Sequence, residues 1–226
     1  MSDLIRPYVP RPVIDWLRDE PDAVYRQLRG TLAFADISGF TTLTERLARR
    51  GKVGAEEMGD LLNSTFAQLL VPAYDYGAAL IKWGGDAVLL LFEGDGHEAR
   101  ACRAAWEMQR TIRRVGQLRT SAGAVTLRMS VGIHSGDLDF FLLGSRHREL
   151  IVTGPGASTT TVMEQVAEAG EVVLSRQTAA AVGLRHTGGP QGAGLLLTSP
   201  PDAELDPHRA RDSRVPPELD TAVPEV

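Results

Sequence analysis

Two short stretches, each delivering one carboxylate to the end of an apolar strand, constrain what this chain can fold into. The first is Leu32-Ala33-Phe34-Ala35-Asp36-Ile37-Ser38-Gly39-Phe40-Thr41, a buried-type strand that carries an acid into a glycine turn. The second is Leu80-Ile81-Lys82-Trp83-Gly84-Gly85-Asp86-Ala87-Val88, where two strands meet at a glycine hairpin that carries another acid. Two aspartates on neighbouring strand ends, next to a helix N-terminus, suit a divalent cation and a polyphosphate. Each also has a plainer reading, in which Asp36 caps the following helix and Asp86 is a turn residue.

The remaining pattern is that of one α/β domain. Residues 1–30 read as an extended proline-containing arm followed by one or two short amphipathic helices, with Trp16 and Tyr25 as packing residues. A strand over 31–38 precedes a helix to about 50, opened by the capping-box spacing Thr42-x-x-Glu45. A longer helix follows over about 55–76, with Pro72 expected to distort its last turn. The hairpin strands span 79–83 and 87–92, and a third helix spans about 97–118.

Residues 125–134 alternate cleanly as a strand. Ser135-Gly136-Asp137 then reads as a turn into a second strand over 138–143. Further strands are expected at 149–153 and 171–174, a helix from Gly154 to about 169, and a short helix over 176–182. Residues 195–197 suggest an edge strand, and the proline-rich segment from Ser199 onward suggests disorder. The expected divisions are therefore 1–30 as an arm, 31–184 as the domain, and 185–226 as a weakly structured tail.

Composition excludes several function classes. With a net charge of −5 a basic, nucleic-acid-binding face is not expected. No apolar run approaches the ~20 residues that span a bilayer, and the N-terminus lacks the pattern of a signal peptide. The single cysteine, Cys102, rules out an intrachain disulfide and suits a reducing compartment, so a cytoplasmic protein is expected. Of 24 basic residues only Lys52 and Lys82 are lysines, which singles out the ammonium beside the glycine hairpin.

With the elements in order, three motifs acquire a common meaning. Phe34-Ala35-Asp36-Ile37-Ser38-Gly39-Phe40-Thr41 resembles the first metal motif of class III adenylyl and guanylyl cyclase domains. Lys82-Trp83-Gly84-Gly85-Asp86 is similar to the second, and Met129-Ser130-Val131-Gly132-Ile133-His134-Ser135-Gly136 to the strand signature that follows. The resemblance implies a ferredoxin-like cyclase fold, an α+β sandwich with a mostly antiparallel sheet and helices packed on it. It also implies a head-to-tail homodimer with active sites at the interface. Asp36, Asp86 and the Ile37 carbonyl would hold two Mg2+ or Mn2+ ions in one protomer. Lys82 of the other would read the purine of ATP or GTP, with Ile151, Phe40 and Thr41 also counted on the substrate side. The implied activity is conversion of the nucleoside triphosphate to its 3′,5′-cyclic nucleotide and pyrophosphate, as in cyclic nucleotide signalling.

The second half of the expected site departs from the family pattern. Aligned on Gly154, the family's asparagine and arginine, which act on ribose and α-phosphate, are here Ser158 and Val162. Losing one preorganised transition-state donor costs ~10²–10³ in rate. Ile151 replaces a residue that reads the base, and Ser130 replaces a common phosphate-binding arginine. Ser158 remains as a short hydroxyl and Arg128, on the same strand face as Ser130, as a substitute cation; His147 and Arg148 are loop alternatives. A weak or inactive cyclase-like module that binds nucleotide or dimerises is therefore the alternative function. A diguanylate cyclase, suggested by Gly84-Gly85-Asp86, is disfavoured because Ala87 replaces the glutamate of that hairpin.

Overall fold

The computed structural model describes residues 9–144 and 148–206. Its centre is an eight-stranded sheet in the order β2-β3-β1-β6-β8-β10-β9, with β7 paired to the far part of β6. In chain order the strands are β1 Tyr25–Ser38, β2 Ala79–Gly84, β3 Ala87–Glu93, β4 Gln117–Thr120, β5 Gly123–Thr126, β6 Arg128–Leu143, β7 Glu149–Thr153, β8 Val172–Leu174, β9 Thr187–Gln191 and β10 Gly194–Leu197. The helices are α1 Arg11–Asp19, α2 Phe40–Ala48, α3 Lys52–Asp75, α4 His97–Val115, α5 Gly154–Gln165 and α6 Arg176–Val182. Strands β4 and β5 form a separate hairpin. Every pairing in the main sheet is antiparallel except β6 with β8.

Strand β1 lies between β3 and β6, and both of its faces are covered, which is why its second half reads as a continuous apolar run. Ala33, Ala35 and Ile37 face one layer with Met129, Val131 and Ile133, under Leu69, Met108 and Ile112. Leu32 belongs to the other layer with Leu91, Leu138, Phe140 and Trp16. Strand alternation thus divides one sequence run between two cores. Cys102 is fully buried in α4, and burial pushes its thiol up in pKa, so it is a packing residue.

Several local expectations change. Strand β1 begins at Tyr25, inside the segment expected to be a helical arm. Tyr25, Gln27 and Arg29 are exposed while Arg26 and Leu28 are half-buried, a period of two made by pairing with the distal part of β6. Trp16 packs as expected, its indole N–H donating to the Ala23 carbonyl at 3.1 Å. Ser135-Gly136-Asp137 is not a turn: it continues β6, opposite Thr31, Gly30 and Arg29. Gly30 faces Gly136 there, so that rung of the ladder carries no side chain on either face of the sheet. Val125 belongs to β5 rather than to the strand that begins at Arg128, and α4 ends at Val115.

Helix α2 starts at Phe40 with Gly39 as its N-cap and no side-chain cap, so the Thr42-x-x-Glu45 box is unused. Helix α3 runs through Pro72 to Asp75, and α5 ends at Gln165 rather than near 169. At the C-terminal end, β10 is an internal strand and β9 forms the edge. The sheet therefore draws strands from both sides of the expected 31–184 span. Residues 199–206, expected as disordered tail, pack back on the domain: the Asp206 amide donates to the Asp75 carbonyl at 2.9 Å, and its carboxylate lies 3.5 Å from buried Arg100. The rest of the tail, 207–226, and the start of the arm, 1–8, lie outside the described residues.

Candidate functional site

Asp36 stands near the end of β1, opposite Ala87 of β3 on one side and Ser130 of β6 on the other. The hairpin turn between β2 and β3 consists of Gly85 and Asp86, with Gly85 at φ +69° where other side chains are strained. The Ile37 amide donates to the Asp86 carbonyl at 3.1 Å, which ties the end of β1 to this turn. Trp83 holds the hairpin from behind: its indole N–H donates to the Gly85 carbonyl at 3.0 Å, and its ring meets Phe66 of α3 edge-on at 4.3 Å. Both aspartates are half-buried. Burial, then the negative charges of Asp86 and Glu164, hold the Asp36 carboxyl above its ordinary value.

Immediately beyond, Gly39 turns the chain at φ +93°, and a Cβ there would meet the Thr126 carbonyl at 2.8 Å. Glycine is required by conformation and by space, and it brings the first amides of α2 close to the carboxylate pair. Thr41 is exposed at this end, whereas Phe40 packs against the core and presents little to solvent. Ile37 buries its side chain, so only its backbone could serve a ligand. Arg128 pairs with Ser38 in register and keeps its side chain exposed, two positions from Ser130 on the same face.

Glu164 went unnoticed in the sequence. The Ser130 hydroxyl donates to its carboxylate at 2.8 Å, which sets a second acid beside Asp36. What brings α5 this close is Gly132, where a Cβ would fall 2.1 Å from the Glu164 nitrogen. A glycine inside a clean strand marks such a close approach, and that signal could have pointed to the helix position it receives.

Two cavities flank α5. One, of about 310 Å³, is lined by Leu32, Phe34, Lys82, Leu89, Val152 and Ala157. It is a mostly apolar pocket whose polar lining is Lys82, Thr160 and Thr161. Lys82 is exposed and lies 3.4 Å from the Glu149 carboxylate. Ile151 does not line this slot: strand alternation turns it to the opposite face of β7, where it is 37% exposed, and Val152 takes the inner position. The other cavity, of about 320 Å³, is lined by Ser158 and Val162 together with Arg176 and Gln177. Arg148 donates to the Pro21 carbonyl at 2.9 Å, which ties it to the loop before β1, and His147 lies outside the described residues.

Among the described residues no three His, Cys, Asp or Glu side chains come together as a metal cluster. The donor set is instead a pair of carboxylates, of which Asp36 is raised first by burial and then by the charge of Asp86. That set fits Mg2+, which commonly takes one or two carboxylates and completes its shell with water and substrate phosphate. The residues that would hold such an ion are Asp36, Asp86 and the Ile37 carbonyl.

The elements that carry these residues, from β1 to α6, fall within residues 25–188, which match the model of the adenylate and guanylate cyclase catalytic domain. The chain belongs to that family. The cyclase domain is similar to adenylate cyclase type 10 of Mus musculus, at 23% identity over 150 residues that make up 65% of this chain. Those residues span only 9% of the length of that relative. Its fold is that of the adenylyl cyclase CyaB from P. aeruginosa, with a TM-score of 0.62 and 22% identity over 77% of this chain and 94% of the other. It is also that of the guanylate cyclase domain of RhGC from Catenaria anguillulae, solved with GTP, with a TM-score of 0.60 and 20% identity over 76% of this chain and 94% of the other. No helix of the cyclase domain, among the described residues, is long and apolar enough to cross a membrane.

Proposed function

We propose that this cyclase domain converts ATP or GTP to the 3′,5′-cyclic nucleotide and pyrophosphate at the interface of a homodimer. The observation that carries the reading is the Asp36–Asp86 pair at adjoining strand ends, on the same sheet as a Lys82-lined slot of about 310 Å³. In this reading Asp36, Asp86 and the Ile37 carbonyl of one protomer hold Mg2+ or Mn2+. Bound divalent ions supply the charge that activates the ribose 3′-oxygen and neutralises the polyphosphate.

The chain's own groups do the rest. The slot takes the purine, Lys82 donates to its edge, and Val152 fills the inner wall. Val152 and Ala157 offer no hydrogen bond to a base amino group, which leaves Thr160 and Thr161 as the lining residues that could tell adenine from guanine. The α2 amides after Gly39 donate to phosphate oxygens. Oxygen O3′ attacks the α-phosphorus, the bond to the bridging oxygen breaks, pyrophosphate leaves, and the hydroxyl proton passes to solvent. Ser158 orients the ribose, and Arg128 stands on the phosphate side. A homodimer agrees with the exposed apolar side chains of Tyr25, Leu143 and Ile151 on the arm formed by β1, β6 and β7.

Val162 favours a second reading. It is 40% exposed on α5, an apolar residue where the family pattern has an arginine, so the transition state lacks one charged donor. The domain would then act as a nucleotide-binding or dimerising regulatory module. An assay of the purified chain with ATP and with GTP, under Mg2+ and then Mn2+, separates the two. Cyclic product that disappears in Asp86→Ala supports turnover. No product at micromolar enzyme, with metal-dependent nucleotide binding by calorimetry, supports the regulatory module.

A further inference from the structure

Around the cavity of about 320 Å³ on the second side of α5, three polar side chains stand without partners among the described residues. Ser158, Arg176 and Gln177 line it, and none of the three makes a side-chain hydrogen bond or ion pair with the described residues. Among the described residues no aspartate or glutamate lines it, and the one charge they place on its wall is the Arg176 guanidinium. Val162 and Ala193 are the short apolar residues that leave the space open.

The base of Arg176 is rigid. Ser175, directly before it, is buried; its amide donates to the Ile133 carbonyl at 2.9 Å, and its hydroxyl caps α6 by accepting from the Thr178 amide at 3.3 Å. Its hydroxyl also meets His134 Nδ1 at 2.9 Å. An exposed guanidinium on a fixed backbone, with a hydroxyl and a carboxamide beside it and no competing carboxylate, presents donors for a planar or tetrahedral oxyanion.

We infer that Arg176, with Gln177, forms a phosphate-binding site next to the ribose-facing Ser158, and that it replaces the cation missing at Val162. The inference rests on the nucleotide reading for the identity of the anion: the phosphates of the nucleoside triphosphate whose base enters the slot on the other side of α5. Arg176 of α6 and Val162 of α5 line the same cavity. The compensation comes from a different helix, which is why no motif in the sequence reveals it.

The test measures phosphate binding apart from turnover. Inorganic tripolyphosphate is titrated into the full chain by calorimetry, without added divalent metal, for the wild type and for Arg176→Gln, Arg176→Lys and the distant control Arg110→Gln. A charge-assisted contact of this kind predicts a loss of about tenfold to a hundredfold in affinity for Arg176→Gln. A smaller loss is expected for Arg176→Lys, and none for Arg110→Gln. ATP should displace tripolyphosphate at one equivalent per protomer.

Wild-type and Arg176→Gln affinities that agree within twofold overturn the inference, as does a wild type that binds no tripolyphosphate at millimolar concentration. Tripolyphosphate that binds through Arg176 without displacement by ATP overturns the assignment to nucleotide and leaves a site for free polyphosphate. Because Arg176 is exposed, unchanged melting of Arg176→Gln shows that the fold is kept. If Arg176 binds tripolyphosphate but no cyclic nucleotide is ever formed, the turnover reading fails while the phosphate site stands.

Discussion

Ser130 donates its hydroxyl hydrogen to Glu164 at 2.8 Å, directly across the β1–β6 ladder from Asp36. The position expected to carry a cation toward phosphate instead recruits a second carboxylate. Negative charge is thereby concentrated on the metal side of the sheet. Removing it with Glu164→Gln should bring the Asp36 carboxyl down toward its ordinary value, because one of the charges that raise it is gone. Carboxyl-carbon NMR titration of the metal-free protein reads this directly. An unchanged Asp36 midpoint would show that burial and Asp86 alone set it.

Asp86 sits in a two-residue turn and makes its tie to β1 through its backbone carbonyl, so its side chain is free of that structural duty. Asp86→Asn should keep the fold, with a stability within about 0.5 kcal/mol of wild type by denaturant melts. Product formation should fall by about 10²–10³ or more. Chelation with excess EDTA should abolish the wild-type rate and leave nothing further for Asp86→Asn to lose. A variant that retains the wild-type rate would remove Asp86 from the site.

Two buried histidines are joined through hydroxyls. His97 Nδ1 meets Thr31 at 2.6 Å, Thr31 meets Ser135 at 2.8 Å, Thr178 donates to Ser135 at 3.0 Å, and Ser175 links Thr178 at 3.0 Å to His134 at 2.9 Å. Burial lowers both imidazoles below their ordinary value; at His97 this outweighs the opposing pull of Glu98. The unfolded chain therefore takes up protons first. The contribution of these groups to stability is full above about pH 6.5 and is lost as pH falls below it. Melting temperature measured from pH 8 to pH 5 should fall on the acid side, and the slope should flatten in His134→Asn. An equal slope in that variant would clear His134 of the effect.

Gly132 is the contact point between sheet and α5. A Cβ there would lie 2.1 Å from the Glu164 nitrogen and 2.6 Å from the Thr160 carbonyl, both backbone atoms that cannot swing aside. Gly132→Ala should cost about 1–3 kcal/mol or more. It should also weaken ligands on both sides of the helix, since both cavities are lined by α5. Denaturant melts with parallel binding titrations test this, and a variant of wild-type stability would mean that α5 has freedom to shift.

Ser158→Asn combined with Val162→Arg restores the family pattern on α5. In an otherwise competent scaffold the pair should raise cyclisation by about 10²-fold. Placed on Arg176→Gln it should recover activity lost there, because both positions line one cavity. No gain in either background would indicate that the interface, rather than these two side chains, limits turnover.

Much of this protein was legible in its residues. The apolar run ending in Asp36, the glycine hairpin ending in Asp86 and the alternation from Met129 to Ile133 place strands by local physics, so their order and their loops could be read directly. Tyr25 to Arg29 were misread because only one face of that segment is covered; its partner strand lies more than a hundred residues away in sequence. The same distance hid the continuity of β6 through Ser135-Gly136-Asp137, where a turn-like triplet is held straight by Thr31, Gly30 and Arg29 opposite.

The sequence by itself determined the family, the sheet that brings Asp36 and Asp86 to neighbouring strand ends, and the gap at Ser158 and Val162. Only the tertiary structure decided what surrounds them. Gly132 admits α5 to the sheet, Glu164 arrives beside Asp36, Val152 rather than Ile151 turns into the Lys82 slot, and Arg176 enters the cavity beside Val162 from α6. Each of these depends on the packing of one element against another, and short-range pattern carries no record of that distance or direction.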